Sequence, residues 1–194
     1  MEIKRIIFKI VLIGDGTVGK TSILKKYFYN EIDYDYIMTI GFDVFTKREL
    51  IMREHLHLEI LWQLWDIAGQ PHWKDVVSSF YRGAKGGIAV FDIANKISFD
   101  SINDWVNDFV KQVGNKPIIL VGNKVDLRDK IPDPITYEEG IKKAEELSKI
   151  LGRNVPYVET SALTGEGIKE AFSTIRKMIF RELVGMLRKS KKLS

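Results

Sequence analysis

Cysteine is absent from the 194-residue sequence. That single absence excludes disulfides, thiolate metal sites, cysteine nucleophiles and cysteine-borne lipid anchors, and it fits a reducing, intracellular setting. Proline is scarce, five residues against fifteen glycines, so disordered and collagen-like chains are excluded. No run of twenty apolar residues occurs, which leaves no candidate for a membrane-spanning helix. Charge of one sign is also missing from the body of the chain. The formal net charge is +4, and from Arg181 onward Arg181, Arg188, Lys189, Lys191 and Lys192 oppose only Glu182, so the excess sits at the C-terminal end. A neutral body carries no nucleic-acid footprint, and the basic end reads as a solvated terminus with at most a weak hold on anionic lipid. With 45% hydrophobic and 29% charged residues, one globular domain with a substantial core is the expectation.

The apolar run Ile6–Ile13, rich in β-branched residues, predicts a buried strand that stops at Gly14. Ile23, Leu24, Tyr27 and Phe28 then recur at helical spacing. Phe42–Met52 and Leu56–Trp65 are β-rich runs that suggest a hairpin. Gly87–Ile93, Ile118–Gly122 and Tyr157–Thr160 read as further short strands, separated by helical stretches. One of these is expected to open at Ser98, with Trp105, Val106 and Phe109 in its core face. Another opens at Thr136, where Glu139 three residues on completes a capping box. A final helix carries Ile168, Phe172, Ile175, Ile179, Leu183 and Met186. Alternating strands and helices imply an α/β fold: a mainly parallel six-stranded sheet with one antiparallel hairpin strand and helices on both faces.

Gly14-Asp15-Gly16-Thr17-Val18-Gly19-Lys20-Thr21 matches G-x-x-x-x-G-K-[ST] and lies between a predicted strand and a predicted helix, as its mechanism requires. Backbone N–H groups and a helix N-terminus converge there on phosphates, Lys20 adds a point charge, and Thr21 would offer its hydroxyl to Mg²⁺. The expected phosphate contacts are Asp15, Gly16, Thr17, Val18, Gly19, Lys20, Thr21 and Ser22. The base is read at the next strand ends, where ligands of open α/β sheets collect. Asn123-Lys124-Val125-Asp126 places a carboxylate, Asp126, able to accept two hydrogen bonds from guanine, which adenine does not offer. Ser161, Ala162 and Leu163 end the following strand, with the Ala162 N–H expected at the guanine carbonyl oxygen. Between these motifs lie Thr39-Ile40-Gly41 and Trp65-Asp66-Ile67-Ala68-Gly69-Gln70. Asp66 and Thr39 join Thr21 as expected metal holders, Gly69 approaches a terminal phosphate, and Gln70 orients the attacking water. Contacts that exist only with a γ-phosphate and Mg²⁺ present are the condition for an order–disorder switch.

These motifs, in order and at family spacing from about Ile6 to Phe180, resemble the small GTPases of the Ras superfamily. Trp65 before the DIAGQ segment, Ser78-Ser79-Phe80-Tyr81-Arg82-Gly83-Ala84 and the context of Thr39 look most like the Rab branch, whose members direct vesicle traffic. The resemblance implies a P-loop NTPase fold and a domain over residues 1–180, with residues 181–194 as the end of the last helix and a basic tail. It implies a GTP/GDP switch with Mg²⁺ that hydrolyses GTP slowly, with catalytic roles for Gln70, Lys20 and Gly69. Tyr36 is retained near the phosphates. An effector, an exchange factor and an activating protein are implied partners of a monomeric cytoplasmic protein whose peripheral membrane contact is confined to the tail. Departures from the family pattern are Ile67 for threonine, Pro71 for glutamate, Ile32 for the phenylalanine that stacks on guanine, and a C-terminal end without prenylation cysteines. Of three aromatic positions that Rab proteins present to effectors, Trp65 and Phe80 match two, and Val44 occupies the first. Two other readings compete: a guanine-nucleotide-binding scaffold that does not cycle, and a P-loop kinase or ATPase, which the Asn123–Asp126 loop opposes. His55, His57 and His72 lack metal-ligand spacing.

Overall fold

The computed structural model describes residues 4–29, 42–53, 56–67 and 78–190. Strand β1 (Lys4–Ile13) leads through a glycine loop into helix α1 (Lys20–Tyr29), and β2 (Phe42–Arg53) and β3 (Leu56–Ile67) follow. Next come β4 (Ala84–Asp92), α2 (Lys96–Asp100), α3 (Ile102–Val113) and β5 (Ile118–Asn123). The described chain closes with α4 (Tyr137–Leu151), β6 (Tyr157–Thr160) and α5 (Ile168–Ser190). The six strands lie in the order β2-β3-β1-β4-β5-β6. Only the β2–β3 pair is antiparallel. This is the α/β architecture expected from the alternation of strands and helices, and it turns the carboxyl ends of β1, β3, β4, β5 and β6 to one edge.

Strand side chains alternate between two cores, as period two requires. Ile10 and Leu12 of β1, Ile88 and Val90 of β4, and Ile119 and Val121 of β5 pack beneath α1 and α5, against Ile23, Leu24, Phe172, Ile175 and Ile179. Their neighbours Val11, Ile13, Ala89, Phe91, Ile118 and Leu120 face the other way, against Phe99, Trp105, Phe109, Ala144 and Leu147 of α2, α3 and α4. Helices on both faces explain why these strands read as continuous apolar runs. Edge strand β2 carries Lys47, Arg48 and Glu49, charges that discourage pairing with another chain.

The expected helix opening at Ser98 is corrected. Asn95 is the cap, its Oδ1 accepting from the N–H groups of Ile97 and Ser98 at 3.1 and 3.3 Å. Ser98 is instead buried, its hydroxyl donating to Asn95 O at 2.7 Å, and the helical stretch is divided at Ser101. Asparagine caps as well as serine, and here it sits one turn earlier. The Thr136–Glu139 capping box forms as expected. Helix α5 runs without a break through Phe180 and Arg181. Among the described residues, no helix is long and apolar enough to cross a membrane.

Candidate functional site

The loop after β1 is shaped by close approach. A Cβ on Gly14 would lie 2.1 Å from the Val90 carbonyl oxygen, and one on Gly19 would lie 2.3 Å from Asn123 Nδ2; both glycines also have positive φ. Thr17 adopts φ 66°, a left-handed conformation costing a β-branched residue about 1 kcal/mol or more. Lys20, the first residue of α1, is almost fully buried. Its ammonium arches back over the loop, donating to Gly14 O at 2.8 Å and Asp15 O at 2.7 Å. Burial pushes this lysine down to about 8, while the charges of Asp66 and Asp15 pull it back up. A buried ammonium at a helix N-terminus, beside backbone N–H groups, is a ready anion site.

Thr21 follows on α1, and its hydroxyl donates to Asp66 Oδ2 at the end of β3. Asp66 is fully buried. The two are hard oxygen donors placed together, the kind Mg²⁺ takes along with waters and substrate phosphates. Of the three expected metal holders, the structure brings Thr21 and Asp66 together, and Thr39 lies outside the described residues. Ser22 lies exposed in the same turn of α1.

Asn123, at the end of β5, ties the rest of the edge together. Its amide donates to Val18 O in the phosphate loop at 2.8 Å, and its oxygen accepts from the Thr160 hydroxyl at 3.0 Å and the Ala162 N–H at 3.3 Å. The Ala162 N–H, expected at the base, is thus turned toward Asn123. Asp126 accepts from the Ser161 hydroxyl at 2.5 Å, which brings the two predicted base-side segments into contact. Lys124 is left-handed at φ 69° and pairs with Asp92 at 2.7 Å. Leu163 is exposed at the rim.

Tyr36, Thr39, Gly69 and Gln70, and the departures Ile32 and Pro71, lie outside the described residues. Ile67 is buried and packs in the core under α3, so its departure from threonine places a methyl-rich side chain in an apolar setting. Val44, at the first of the three aromatic positions, pairs directly opposite Trp65, and Phe42, two residues earlier on the same face of β2, stacks on Trp65 at 4.9 Å and meets Phe80 at 4.6 Å. Lys9 Nζ lies 3.5 Å from the centroid of the Trp65 ring, within cation–π range.

Two contacts escaped the sequence reading. Trp105, expected only as core, donates from Nε1 to Asp15 Oδ1 at 2.7 Å; the signal available was that a buried indole N–H needs an acceptor. Arg128 pairs with Glu159, which also accepts from the Tyr157 hydroxyl at 2.9 Å, locking the loop after β5 to β6. Burial and the neighbouring Glu159 carboxylate hold that phenol well above its ordinary value.

A parallel sheet whose first strand turns through a glycine loop and a buried lysine into a helix defines a P-loop nucleotide-binding protein. A family model described as Ras family matches residues 9–181. The chain belongs to that family, and with it to the small GTPases, molecular switches that bind guanine nucleotides and Mg²⁺.

Proposed function

We propose that this protein is a Rab-like GTPase that cycles between GTP and GDP and regulates vesicle traffic or related signalling through an effector. The observation that carries the reading is Asn123, whose side chain joins the phosphate loop at Val18 to Thr160 and Ala162. One bound molecule can then span a phosphate end at Lys20 and a base end at Asp126. In this reading the loop amides from Asp15 to Ser22 and the Lys20 ammonium hold the β- and γ-phosphates. Asp126 reads guanine, with Asn123, Lys124, Ser161, Ala162 and Leu163 around it, all within a domain spanning residues 1–180. Thr21, Thr39 and Asp66 would hold Mg²⁺, which would supply charge neutralisation at the phosphates. Tyr36 and Gly69 approach the phosphates, and Gln70 orients the water. Lys20 stays fixed through the reaction, so positioning and charge neutralisation carry catalysis.

The Rab-like part of the reading rests on Trp65, the Ser78–Ala84 stretch and the context of Thr39. Phe42, outside the aromatic position that Val44 occupies, joins Trp65 and Phe80, and the three rings form one cluster. They flank the segments that carry Thr39 and Gln70, and Phe42 is exposed, so an effector can read them together with those segments. The test is single-turnover hydrolysis by nucleotide-stripped protein loaded with GTP or ATP and Mg²⁺, with Gln70→Leu as control. Slow cleavage of GTP alone, lost in the control, supports the cycling switch. Tight GTP binding without cleavage favours a scaffold, and ATP turnover overturns the assignment.

A further inference from the structure

A groove runs along α5 on the side facing the hairpin, and none of its lining residues is assigned to nucleotide. Two cavities of about 310 and 430 Å³ meet at Ser173 and Arg176, and the trough they make is crossed there by Arg176, which reaches from α5 to pair with Glu49 of β2. Lining positions on α5 extend from Ile168 to Arg181, a stripe about 20 Å long at helical rise. The opposite wall is the face of β2 carrying Lys47, Glu49 and Ile51. Trp62 and Ile60 of β3 form the floor beside Phe180.

The trough is one-sided in charge. Lys26 and Lys169 line one half with Lys47, and Lys177 and Arg181 line the other. Among the described lining residues the one carboxylate, Glu49, is already engaged, accepting from Trp62 Nε1 at 2.9 Å and pairing with Arg176. Arg176 in turn lies over the Trp62 ring at 4.9 Å. Lys26, Lys169, Lys177 and Arg181 make no ion pair among the described residues. The result is a cationic rim along α5 around a cavity in which Ile51 and Phe180 are the half-buried apolar residues.

We propose that this groove docks an acidic amphipathic helix of a partner protein, apolar residues against Ile51 and Phe180 and carboxylates against the lysine rim. Charge complementarity selects the acidic partner. Shape selects a segment over a bilayer: the half-buried Ile51 and Phe180 line a cavity of about 430 Å³ between β2 and α5, a recess that side chains of a helix can enter and a flat surface spans.

The probe is a set of fluorescein-labelled peptides of about fourteen residues, long enough as helices to fill the trough, with glutamates and leucines at helical spacing. Each is matched by a control in which lysine replaces every glutamate, and fluorescence polarisation is read on the full chain. The expected result is that glutamate peptides bind at least about tenfold tighter than their controls. The double variant Lys169→Glu, Lys177→Glu lowers that affinity by a similar factor. Both lysines are exposed, so the variant keeps its unfolding midpoint and its nucleotide affinity. The proposal is overturned if no glutamate peptide exceeds its lysine control, or if the double variant binds as the parent does. It is equally overturned if phosphatidylserine–phosphatidylcholine vesicles bind the chain while the peptides do not, since the rim is then a lipid surface.

Discussion

Trp105 Nε1 donates to Asp15 Oδ1 at 2.7 Å, joining α3 to the phosphate loop across 90 positions of sequence. Asp15 also offers its backbone carbonyl to Lys20, so the indole steadies the segment that holds the lysine. Trp105→Phe keeps an aromatic ring in the core, smaller than the indole, and removes the N–H. The lost bond is worth about 1 to 2 kcal/mol, and release of a fluorescent GDP analogue should quicken about five- to thirtyfold. An unchanged release rate would reduce Trp105 to core filling.

Asn123 makes bonds that no apolar residue can replace. Asn123→Ala leaves Val18 O, the Thr160 hydroxyl and the Ala162 N–H without that partner in a buried setting. The expected cost is about 3 kcal/mol of folding stability. Urea denaturation of the nucleotide-free variant measures it directly, and a loss within experimental error would mean that water substitutes for the amide.

Asp126→Asn separates base reading from folding. The Ser161 hydroxyl still has an oxygen to donate to, so the thermal midpoint should stay near that of the parent. Guanine N1–H and its amino group lose their charged acceptor, and GDP affinity should fall about a hundredfold, or roughly 3 kcal/mol. Titration calorimetry with GDP and ADP checks both magnitude and selectivity.

The cap of α4 predicts a pH dependence. The Thr136 N–H donates to Glu139 Oε2 at 2.8 Å, and this bond holds the Glu139 carboxyl below its ordinary 4.5. A depressed carboxylate stabilises the fold above its unfolded value. That contribution is therefore complete above 4.5 and fades as pH falls through the lower folded value. Thr136→Ala should cost about 1 kcal/mol at neutral pH. Glu139→Gln should flatten the acid limb of the stability curve below 4.5, as followed by circular dichroism.

The parts of the fold and site that rest on local spacing were legible in the sequence. The glycines and Lys20 announce their loop because each answers a backbone requirement within eight residues, and the Thr136–Glu139 box declares a helix start in the same way. Relationships set by the sheet were not legible. That Phe42 reaches the Trp65 ring depends on how β2 pairs with β3, where Val44 sits opposite Trp65 and Phe42 lies two residues along the same face. Trp105 looked like one more core aromatic until β1 and α3 were brought together. The opening of α2 was misjudged because Asn95 and Ser98 are equally good caps one turn apart, and only the burial of Ser98 decides between them.

The two cores also differ in when they can close during synthesis. Every buried member of the α3–α4 side precedes Pro156 in the chain. The α1 side, by contrast, needs Phe172, Ile175 and Ile179. At ribosomal speed the stretch from Val155 to Ile179 takes on the order of one to five seconds. Through that interval Ile23 and Leu24 wait for their cover, so a nascent chain stalled short of α5 displays the underside of α1, the helix that begins with Lys20, to chaperones and proteases.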